Sequence, residues 1–467
     1  MSIIDWIVLV AYLLTIIYFI FKIKKAKTVD DFAVGSRQIP KGIIFATLSA
    51  NFIGPGYSMA IVNNAASTGI IWFFIFAAFS LQTILIGKYV APKITQFTKA
   101  YTVGDVMGYK YGKVAKIFTG IMSFAFCAGV VGVISKAAGE IVNGLTGFPI
   151  LYAIIISTSF ILFYSTFGGI KSDIILDVFQ FIVLGLFFPI IIILMFIKVG
   201  PETLIASIPE NLLNIKTSIS NVGIMAIIGF TLGCFFGESL VPPYFNRALA
   251  SKSANDAKKG FVLSGLFGLA WFFVCVAMGL LAAGVVPTDG NVWMTNLKHF
   301  APVGIFGLCI TAMISIILSS QDSFLNAASV AFNKDLLFFI SKNKNDQNLV
   351  NYRIVNLVVG ILAVLFAYFV PTIINAILYC YTLWAPTVVL PLIIGILKKN
   401  VKPVSGVLAI LFGAIVTAVW EWGLGVPEGI PSLLPGVIAN QIVFWSCEIF
   451  FKKELNIKWL NPIIEEE

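Results

Sequence analysis

The chain has 467 residues, of which 59% are hydrophobic and 11% are charged, and its mean hydropathy is +0.97. A soluble domain of this size could not bury so much apolar surface, so the composition excludes a soluble protein and indicates one embedded in a lipid bilayer. The net charge of +9 predicts attraction to anionic lipid and no role in binding nucleic acid.

Apolar runs long enough to cross a bilayer follow one another along nearly the whole chain. We therefore predict an all-α integral membrane protein with thirteen transmembrane helices. The predicted spans are residues 3–23, 42–64, 70–93, 115–142, 149–167, 174–198, 222–240, 260–286, 301–333, 352–370, 372–396, 404–423 and 432–451.

The basic residues predict the orientation, because cytoplasmic loops of membrane proteins are enriched in lysine and arginine. If the N-terminus is outside, the cytoplasmic side collects all but four of the 31 lysines and arginines, Arg247 among them. The exceptions are Lys136, Lys198, Lys216 and Lys298. We expect a multi-pass protein of the cell's inner (plasma) membrane, with a cytoplasmic C-terminus.

The second span contains the sequence NFIGPGYS, residues 51–58, and we predict that its helix is broken at Gly54-Pro55-Gly56. Such a break is tolerated at membrane depth only where protein or water surrounds it. Carbonyls freed before it would then face a cation, and N–H groups freed near Tyr57 and Ser58 would face an anionic or polar solute. A kinked packing helix is the alternative interpretation.

The seventh span carries Gly229, Gly233 and Gly237 and runs into Pro242-Pro243, which predicts a second interrupted helix five spans after the first. Two interrupted helices at matching positions indicate inverted repeats with a binding site between them. We therefore predict a first helix and cytoplasmic loop (1–41), repeat 1 (42–198, helices two to six), repeat 2 (222–396, helices seven to eleven), and two C-terminal helices with a cytoplasmic tail (397–467). The first and last helices are expected to serve packing.

Polar residues lie at membrane depth in the ninth span, in the sequence SSQDSFLN (319–326). Hydroxyl and carboxylate oxygens suit a hard cation such as sodium. The serines alone are also explained by hydrogen bonds to carbonyls one turn back, but Asp322 is not. Asp322 and Asp177 could hold a cation together, or a coupling proton in place of sodium.

Two other polar residues have two interpretations each. Lys136 lies four residues before Glu140, and it either extends to the membrane interface or receives a solute carboxylate. Glu238 is expected at the inner membrane boundary, as an interfacial or gating residue. The six cysteines and the sole histidine, His299, have no metal-site spacing, and no nucleotide or hydrolase motif is found, so no enzyme activity is predicted.

Several motifs resemble those of the sodium:solute symporter family, in the family's order. They are DDFAVGSRQIP (30–40), TVGDVMGYKYG (102–112), GGIKSDIILDVFQ (168–180), YFNRALASKSANDAKKG (244–260) and SSQDSFLNAASVAFNKDLL (319–337). The resemblance implies a fold of the leucine-transporter (LeuT) type, with two inverted five-helix repeats plus peripheral helices.

The resemblance also implies a sodium site and a solute site. Sodium would be bound by the carbonyls of Ser49, Phe52 and Ile316 and the hydroxyls of Ser319 and Ser320. A second ion would involve Asp177, Asp322 and Ser323, although Asp322 replaces a serine of the family pattern, so a proton is the alternative there. Solute would lie beside Tyr57, Ser58, Asn63, Gln82 and Lys136.

The sequence thus predicts a secondary active symporter that uses Na⁺ as coupling ion to import a small polar solute, a carboxylate or amino acid, by alternating access. Choline is not favoured, because Val241 stands where the choline carriers of the family have tryptophan, and Lys136 would repel a cation. A proton-coupled carrier and a membrane sensor without transport remain alternatives. The expected partners are the solute and the lipid bilayer, with no obligate protein partner evident.

Overall fold

A computed structural model of the chain describes residues 1–22, 26–288, 290–337, 348–370 and 373–451. Segments 23–25, 338–347 and 452–467, whose lysines contribute to the predicted orientation and the last of which forms the predicted tail, lie outside these ranges. Within the described ranges the regular structure is helical, and the only β-type pairing is an isolated bridge between Ile39 and Ser251.

The helices of the N-terminal half are α1 (Ile3–Lys22), α2 (Val29–Val34), α3 (Lys41–Phe52), α4 (Pro55–Thr68), α5 (Ile71–Tyr89), α6 (Ala91–Ile94), α7 (Val103–Tyr111), α8 (Lys113–Thr146), α9 (Ile150–Phe187), α10 (Ile190–Val199), α11 (Pro201–Ala206), α12 (Glu210–Leu213) and α13 (Ile215–Val222). Those of the C-terminal half are α14 (Ile224–Leu232), α15 (Pro242–Ala250), α16 (Ala254–Ala283), α17 (Val292–Phe300), α18 (Ile305–Ala331), α19 (Leu349–Phe369), α20 (Ile373–Trp384), α21 (Leu390–Leu397), α22 (Pro403–Ala418) and α23 (Leu433–Phe450). Short π-helical turns follow α14, α18, α20 and α22.

Ten helical segments in the described part of the chain are long and apolar enough to cross a membrane. The other three predicted spans correspond to the shorter apolar helices Ile3–Phe19 and Ile150–Phe163 and to the broken pair α3–α4. Large apolar side chains such as Phe369, Ile197 and Phe450 are more than 70% exposed, as expected where lipid covers the surface. The structure confirms an all-helical membrane bundle, and the total of thirteen spans stays a prediction.

Helix α9 includes residues 168–173, where the sequence predicts a short loop between two spans. Its contacts nevertheless agree with two spans. A Cβ added at Gly139 of α8 would meet Ile154, and Cys309 of α18 donates to the carbonyl of Phe187. Since α8 and α18 run antiparallel, these two contacts of α9 lie toward the same end of the bundle. Ser165, which lies between them in α9, instead contacts Asp322 in the middle of α18. The chain therefore turns back between Ser165 and Phe187, so α9 is not one straight helix although its residues are helical throughout.

The DDFAVGSRQIP segment forms hydrogen bonds that join several elements at one end of the bundle. Gly35 adopts a left-handed conformation (φ 59°), which glycine tolerates without a steric penalty. Arg37 then donates to the carbonyls of Ala100, 2.5 Å away, and Leu249, 3.4 Å away. These bonds join the segment before α3 to the loop before α7 and to the end of α15, so the motif has a structural role at this end.

Candidate functional site

The predicted break in the second span is confirmed. Helix α3 ends at Phe52 and α4 begins at Pro55, so Ile53 and Gly54 interrupt the helix. One expectation about this break is wrong, because the N–H groups of Tyr57 and Ser58 are not free. Both donate to the carbonyl of Gly54, at 2.9 and 3.0 Å, since Pro55 starts a new helix whose first bonds return to the residue before it.

The seventh span is also interrupted, as predicted. Helix α14 ends at Leu232, a π-helical turn follows over Gly233–Gly237, and α15 begins at Pro242. Between them Leu240 takes a positive φ of 49°, which is uncommon for a residue with a side chain. The two interruptions face each other, because the Tyr57 hydroxyl, just after the first break, hydrogen-bonds the Glu238 carboxylate within the second.

Gly54 contributes space to the first break. Its φ of −49° and ψ of 158° are open to any residue, so the backbone alone does not require glycine. A Cβ built on Gly54 would lie 3.5 Å from the Ser320 hydroxyl oxygen of α18. The missing side chain therefore leaves the Ser320 hydroxyl facing the break.

We predict that Gly54→Ala folds normally but weakens solute binding. The added methyl makes only ordinary contacts, so the thermal unfolding midpoint should change little. It occupies part of a small cavity, and one extra methylene-sized group in a binding site changes affinity about 10–200-fold. Half-saturating solute concentrations for uptake, measured beside unfolding midpoints, check this. An unchanged affinity would contradict the role given to this space.

Arg247 was predicted in a cytoplasmic loop, and that placement is wrong. It lies within α15, and 1% of its surface is exposed. Its guanidinium forms ion pairs with Asp177 at 2.8 Å and Asp173 at 3.3 Å, both on α9. The double proline starts a new helix after the second break. The YFNRALA segment lies in this helix, α15, and is buried, with Arg247 contacting α9.

Asp177 connects the first break to α9 and α18. One of its oxygens accepts hydrogen bonds from Thr47, from the Asn51 amide at 3.1 Å and from Arg247. Its other oxygen accepts from the Ser319 hydroxyl at 2.5 Å. The carboxylate is fully buried, so α3, α15 and α18 meet at this one side chain.

Ser319 and Ser320 point to different partners, as adjacent residues on a helix must. The Ser319 hydroxyl donates to Asp177, which leaves its oxygen lone pairs available. The Ser320 hydroxyl is buried at Gly54 and has no hydrogen-bond partner among the described residues. Phe52 closes α3, so its carbonyl is among the last four of that helix, which lack an intrahelical partner. Oxygens of this kind are the ligands that a hard cation prefers, and the sodium site between α3 and α18 stays a prediction.

Two of the residues predicted for a second ion are already engaged. Ser323 accepts from Arg247 at 2.6 Å and lies 3.0 Å from Asp173. Asp322 accepts a hydrogen bond from Ser165 of α9. Arg247 forms ion pairs with Asp173 and Asp177, and Asp322 lies close enough to interact electrostatically with Arg247 and Asp177. If all three carboxylates were ionised, the cluster would carry two excess negative charges, which a bound cation or bound protons would offset.

A small cavity of about 40 Å³, which we call the closed cavity because nearly all of its lining residues are buried, lies beside the first break. Its polar lining consists of Asn51, Tyr57, Glu238, Tyr244 and Ser320, and its apolar lining comes largely from α8 and Phe324. This volume accommodates only a few non-hydrogen atoms. A solute the size of an amino acid would require the cavity to widen.

A second, open cavity of about 340 Å³ lies between α14, α20 and the segment from Glu421 to Leu433. Its lining includes Tyr381, whose hydroxyl donates to Glu238 at 2.7 Å and also contacts the Tyr57 hydroxyl. We call Tyr57, Glu238 and Tyr381 the tyrosine–glutamate triad. The triad lies between the open cavity and the closed one.

Of the predicted solute-binding residues, Tyr57 alone lines the closed cavity. Ser58 donates to the Ile53 carbonyl and accepts from Trp271, and Gln82 donates to Ser239 at 2.8 Å. Asn63 accepts from the backbone of Trp293 in α17. Lys136 is half-buried on α8, and the salt bridge with Glu140 that its spacing allows is not formed among the described ion pairs. Their roles toward solute stay predictions.

Asp173 and Arg247 were not predicted as site residues. Glu238 is not an exposed interfacial residue, because only 2% of its surface is exposed, and its alternative role as a gating residue stays a prediction. One signal was present for Asp173, which precedes Asp177 by four residues and so shares its helix face. No comparable signal exists for Arg247, since the lysines that follow it in the chain suggest a solvated loop.

Two interrupted helices that face each other around buried polar groups, inside a membrane bundle, define the architecture of a secondary transporter. The model of the sodium:solute symporter family matches residues 32–413, and the chain belongs to that family. A solved structure of a Na⁺-coupled sialic acid symporter superimposes with a TM-score of 0.84 at 19% identity, covering 97% of this chain and 100% of that one, so the fold is of the LeuT type.

Characterised relatives span most of the chain. A sodium/proline symporter of Staphylococcus aureus is 22% identical over 503 residues, covering 99% of this chain and 96% of the relative. A sodium/glucose cotransporter of Vibrio parahaemolyticus is 26% identical over 363 residues, covering 70% of this chain and 66% of the relative. The family and these relatives are membrane transporters coupled to sodium.

Proposed function

We propose that the protein is a secondary active symporter in which Na⁺ drives the import of a small, amino-acid-like organic solute. The observation that carries the proposal is the Ser320 hydroxyl, which is buried without a partner at the break between α3 and α4. A buried hydroxyl with no partner is costly unless a ligand satisfies it. Family membership supports sodium as that ligand.

The proposed sodium site comprises the carbonyls of Ser49, Phe52 and Ile316 and the hydroxyls of Ser319 and Ser320. The Ser49 carbonyl also accepts a hydrogen bond from the Ile53 N–H at 3.3 Å, and its second lone pair remains available. An ion here would join the broken helix to α18. The bound ion would stabilise the conformation in which the tyrosine–glutamate triad closes the solute cavity. The bound solute would stabilise the same conformation, and binding of sodium would therefore favour binding of solute.

The solute would enter the closed cavity at Tyr57, with the open cavity as its approach. In this proposal Gln82 and Ser58 support the helices around the cavity, and Lys136 would offer a positive charge for a solute carboxylate. The proline symporters among the relatives support an amino-acid-like solute. In the cell, the predicted orientation places the N-terminus outside and the C-terminus in the cytoplasm.

Uptake into proteoliposomes tests the proposal. Purified full-length protein should accumulate at least one labelled member of a panel of amino acids, small carboxylates and amines when sodium is high outside and potassium is high inside. Accumulation should disappear when gramicidin abolishes the sodium gradient. Gradient-independent counterflow alone would contradict coupling, and binding without counterflow would favour a sensor.

A proton-coupled carrier is the second candidate, because Asp173, Asp177 and Asp322 outnumber the one guanidinium beside them. A proton on this cluster would offset the same charge as a second cation. Uptake in sodium-free buffer over a series of external pH values separates the two. The sodium proposal predicts no accumulation at any pH without sodium, whereas a proton carrier would accumulate solute below neutral pH.

A further inference from the structure

Glu238 is a buried carboxylate that neither the helix packing nor the sodium site explains. One of its oxygens accepts hydrogen bonds from the Tyr57 and Tyr381 hydroxyls, and the Tyr244 hydroxyl also interacts with the carboxylate. The other oxygen has no hydrogen-bond partner among the described residues. None of the ion pairs found in the described part of the chain includes Glu238. An ionised carboxylate buried without a counter-ion is costly, so a cationic ligand is expected beside it.

The closed cavity brings a second unpaired acceptor together with Glu238. The Asn51 amide nitrogen donates to the Thr47 carbonyl at 3.0 Å and to Asp177 at 3.1 Å, which fixes the orientation of the amide. The Asn51 side-chain oxygen is buried and receives no hydrogen bond from any described group. Asn51 and Glu238 both line the cavity, and the lining includes no lysine, arginine or histidine. The group that is missing is a positively charged hydrogen-bond donor.

Aromatic rings support a cation at the same place. Tyr244 and Phe324 line the cavity beside Tyr57. The Tyr57 ring itself packs against Phe79 with ring centroids 5.7 Å apart. Aromatic faces attract cations, and they do so more strongly where water is excluded. A cavity of about 40 Å³ has room for an ammonium group and little more.

We propose that Glu238 is the counter-ion for a protonated amine of the solute, and that the Asn51 side-chain oxygen accepts one of its N–H groups. This inference rests on the proposed symport function and narrows its substrate class. Solutes with an ammonium group bind, whereas sugars and carboxylates without an amine do not. In this proposal Ser320, on the Gly54 side of the cavity, binds sodium and not the amine.

Matched pairs of solutes test the inference in the wild-type full-length protein. The increase in unfolding midpoint caused by L-alanine is compared with that caused by L-lactate, and the increase caused by ethanolamine with that caused by ethylene glycol. All measurements are made at saturating sodium, and methylammonium is the smallest amine tested. We expect each bound amine to have an affinity at least about 30-fold above that of its hydroxyl counterpart, because burying one charge without its partner costs about that much. Equal affinities within the pairs, or no stabilisation by any amine including methylammonium, would overturn the inference.

The Glu238→Gln variant keeps the size of the side chain and removes its charge, so it should abolish the preference for the amine. Glu202→Gln, at an exposed position on α11, is the matched control and should keep the preference. If Glu238→Gln weakens sodium binding and leaves the amine preference intact, Glu238 serves sodium and the inference is wrong. The wild-type pairs decide the question even if this variant does not fold.

A separate sodium titration distinguishes failure of the inference from failure of the proposed function. Sodium alone should raise the unfolding midpoint of the wild-type protein where potassium does not. If sodium stabilises the protein and drives uptake of solutes without an amine, the symport proposal stands and the amine site is refuted. If sodium has no effect while amines still bind, the coupling proposal fails and the amine site stands.

Discussion

Replacing Arg247 by methionine is expected to lower the free energy of unfolding by about 3–5 kcal/mol and to abolish uptake, because removing one partner of a buried ion pair leaves the other charges uncompensated. Arg247 donates to Asp177 and lies 3.3 Å from Asp173, and all three side chains are buried. Methionine has a similar volume, so the loss of stability would result from the missing charge and not from a cavity. Unfolding titrations in mixed micelles measure it.

Two further variants make the Arg247 result specific. Lys252→Met removes an exposed cation two residues beyond α15 and should change stability by no more than about 0.5 kcal/mol. Adding Asp173→Asn to Arg247→Met removes one of the uncompensated charges and should restore part of the stability. A loss below about 1 kcal/mol for Arg247→Met alone would show that the guanidinium is not buried beside these carboxylates.

Asp177→Asn is expected to raise the half-saturating sodium concentration about 10–100-fold, the usual effect of removing a partner that orients a metal ligand. The Ser319 hydroxyl donates to Asp177, so its hydrogen points at the carboxylate and its lone pairs remain available to a cation. Asparagine can present its N–H group to Ser319 instead and reverse the bond. Initial uptake rates over a sodium series measure the effect.

Thr47→Val is the matched control for Asp177→Asn, because Thr47 donates to the other oxygen of the same carboxylate. It should change sodium dependence much less. Equal sodium dependence in Asp177→Asn and the wild-type protein would show that Ser319 needs no orienting partner or does not bind sodium. A parallel measurement of unfolding midpoints separates this effect from the loss of a partner for Arg247.

The elements of the fold were predictable from local sequence. The GPG sequence at 54–56 predicts the break between α3 and α4, and the double proline at 242–243 predicts the restart at α15. Apolar runs predict the positions of the spans because the bilayer fixes their length. The separate directions of Ser319 and Ser320 follow from helix geometry alone.

The surroundings of the site were not predictable in the same way. Tyr57, Glu238 and Tyr381 are brought together only when both helix breaks pack against α20, and no local pattern records that contact. Arg247 is close in sequence to exposed lysines, so charge patterning assigns it to a loop although tertiary packing buries it. Hydropathy reports the average environment of a segment, and these residues depart from that average.

The central claim is that sodium binds where the broken helix meets the Ser320 hydroxyl. The sodium dependence of solute uptake by Ser320→Ala tests it most directly, with Ser315→Ala as control, since Ser315 lies on the same helix, is equally buried and contacts Tyr12 of α1. The account predicts that Ser320→Ala needs at least about tenfold more sodium and loses solute affinity only at low sodium, while Ser315→Ala matches the wild-type protein. A sodium dependence of Ser320→Ala identical to that of the wild-type protein would contradict the claim.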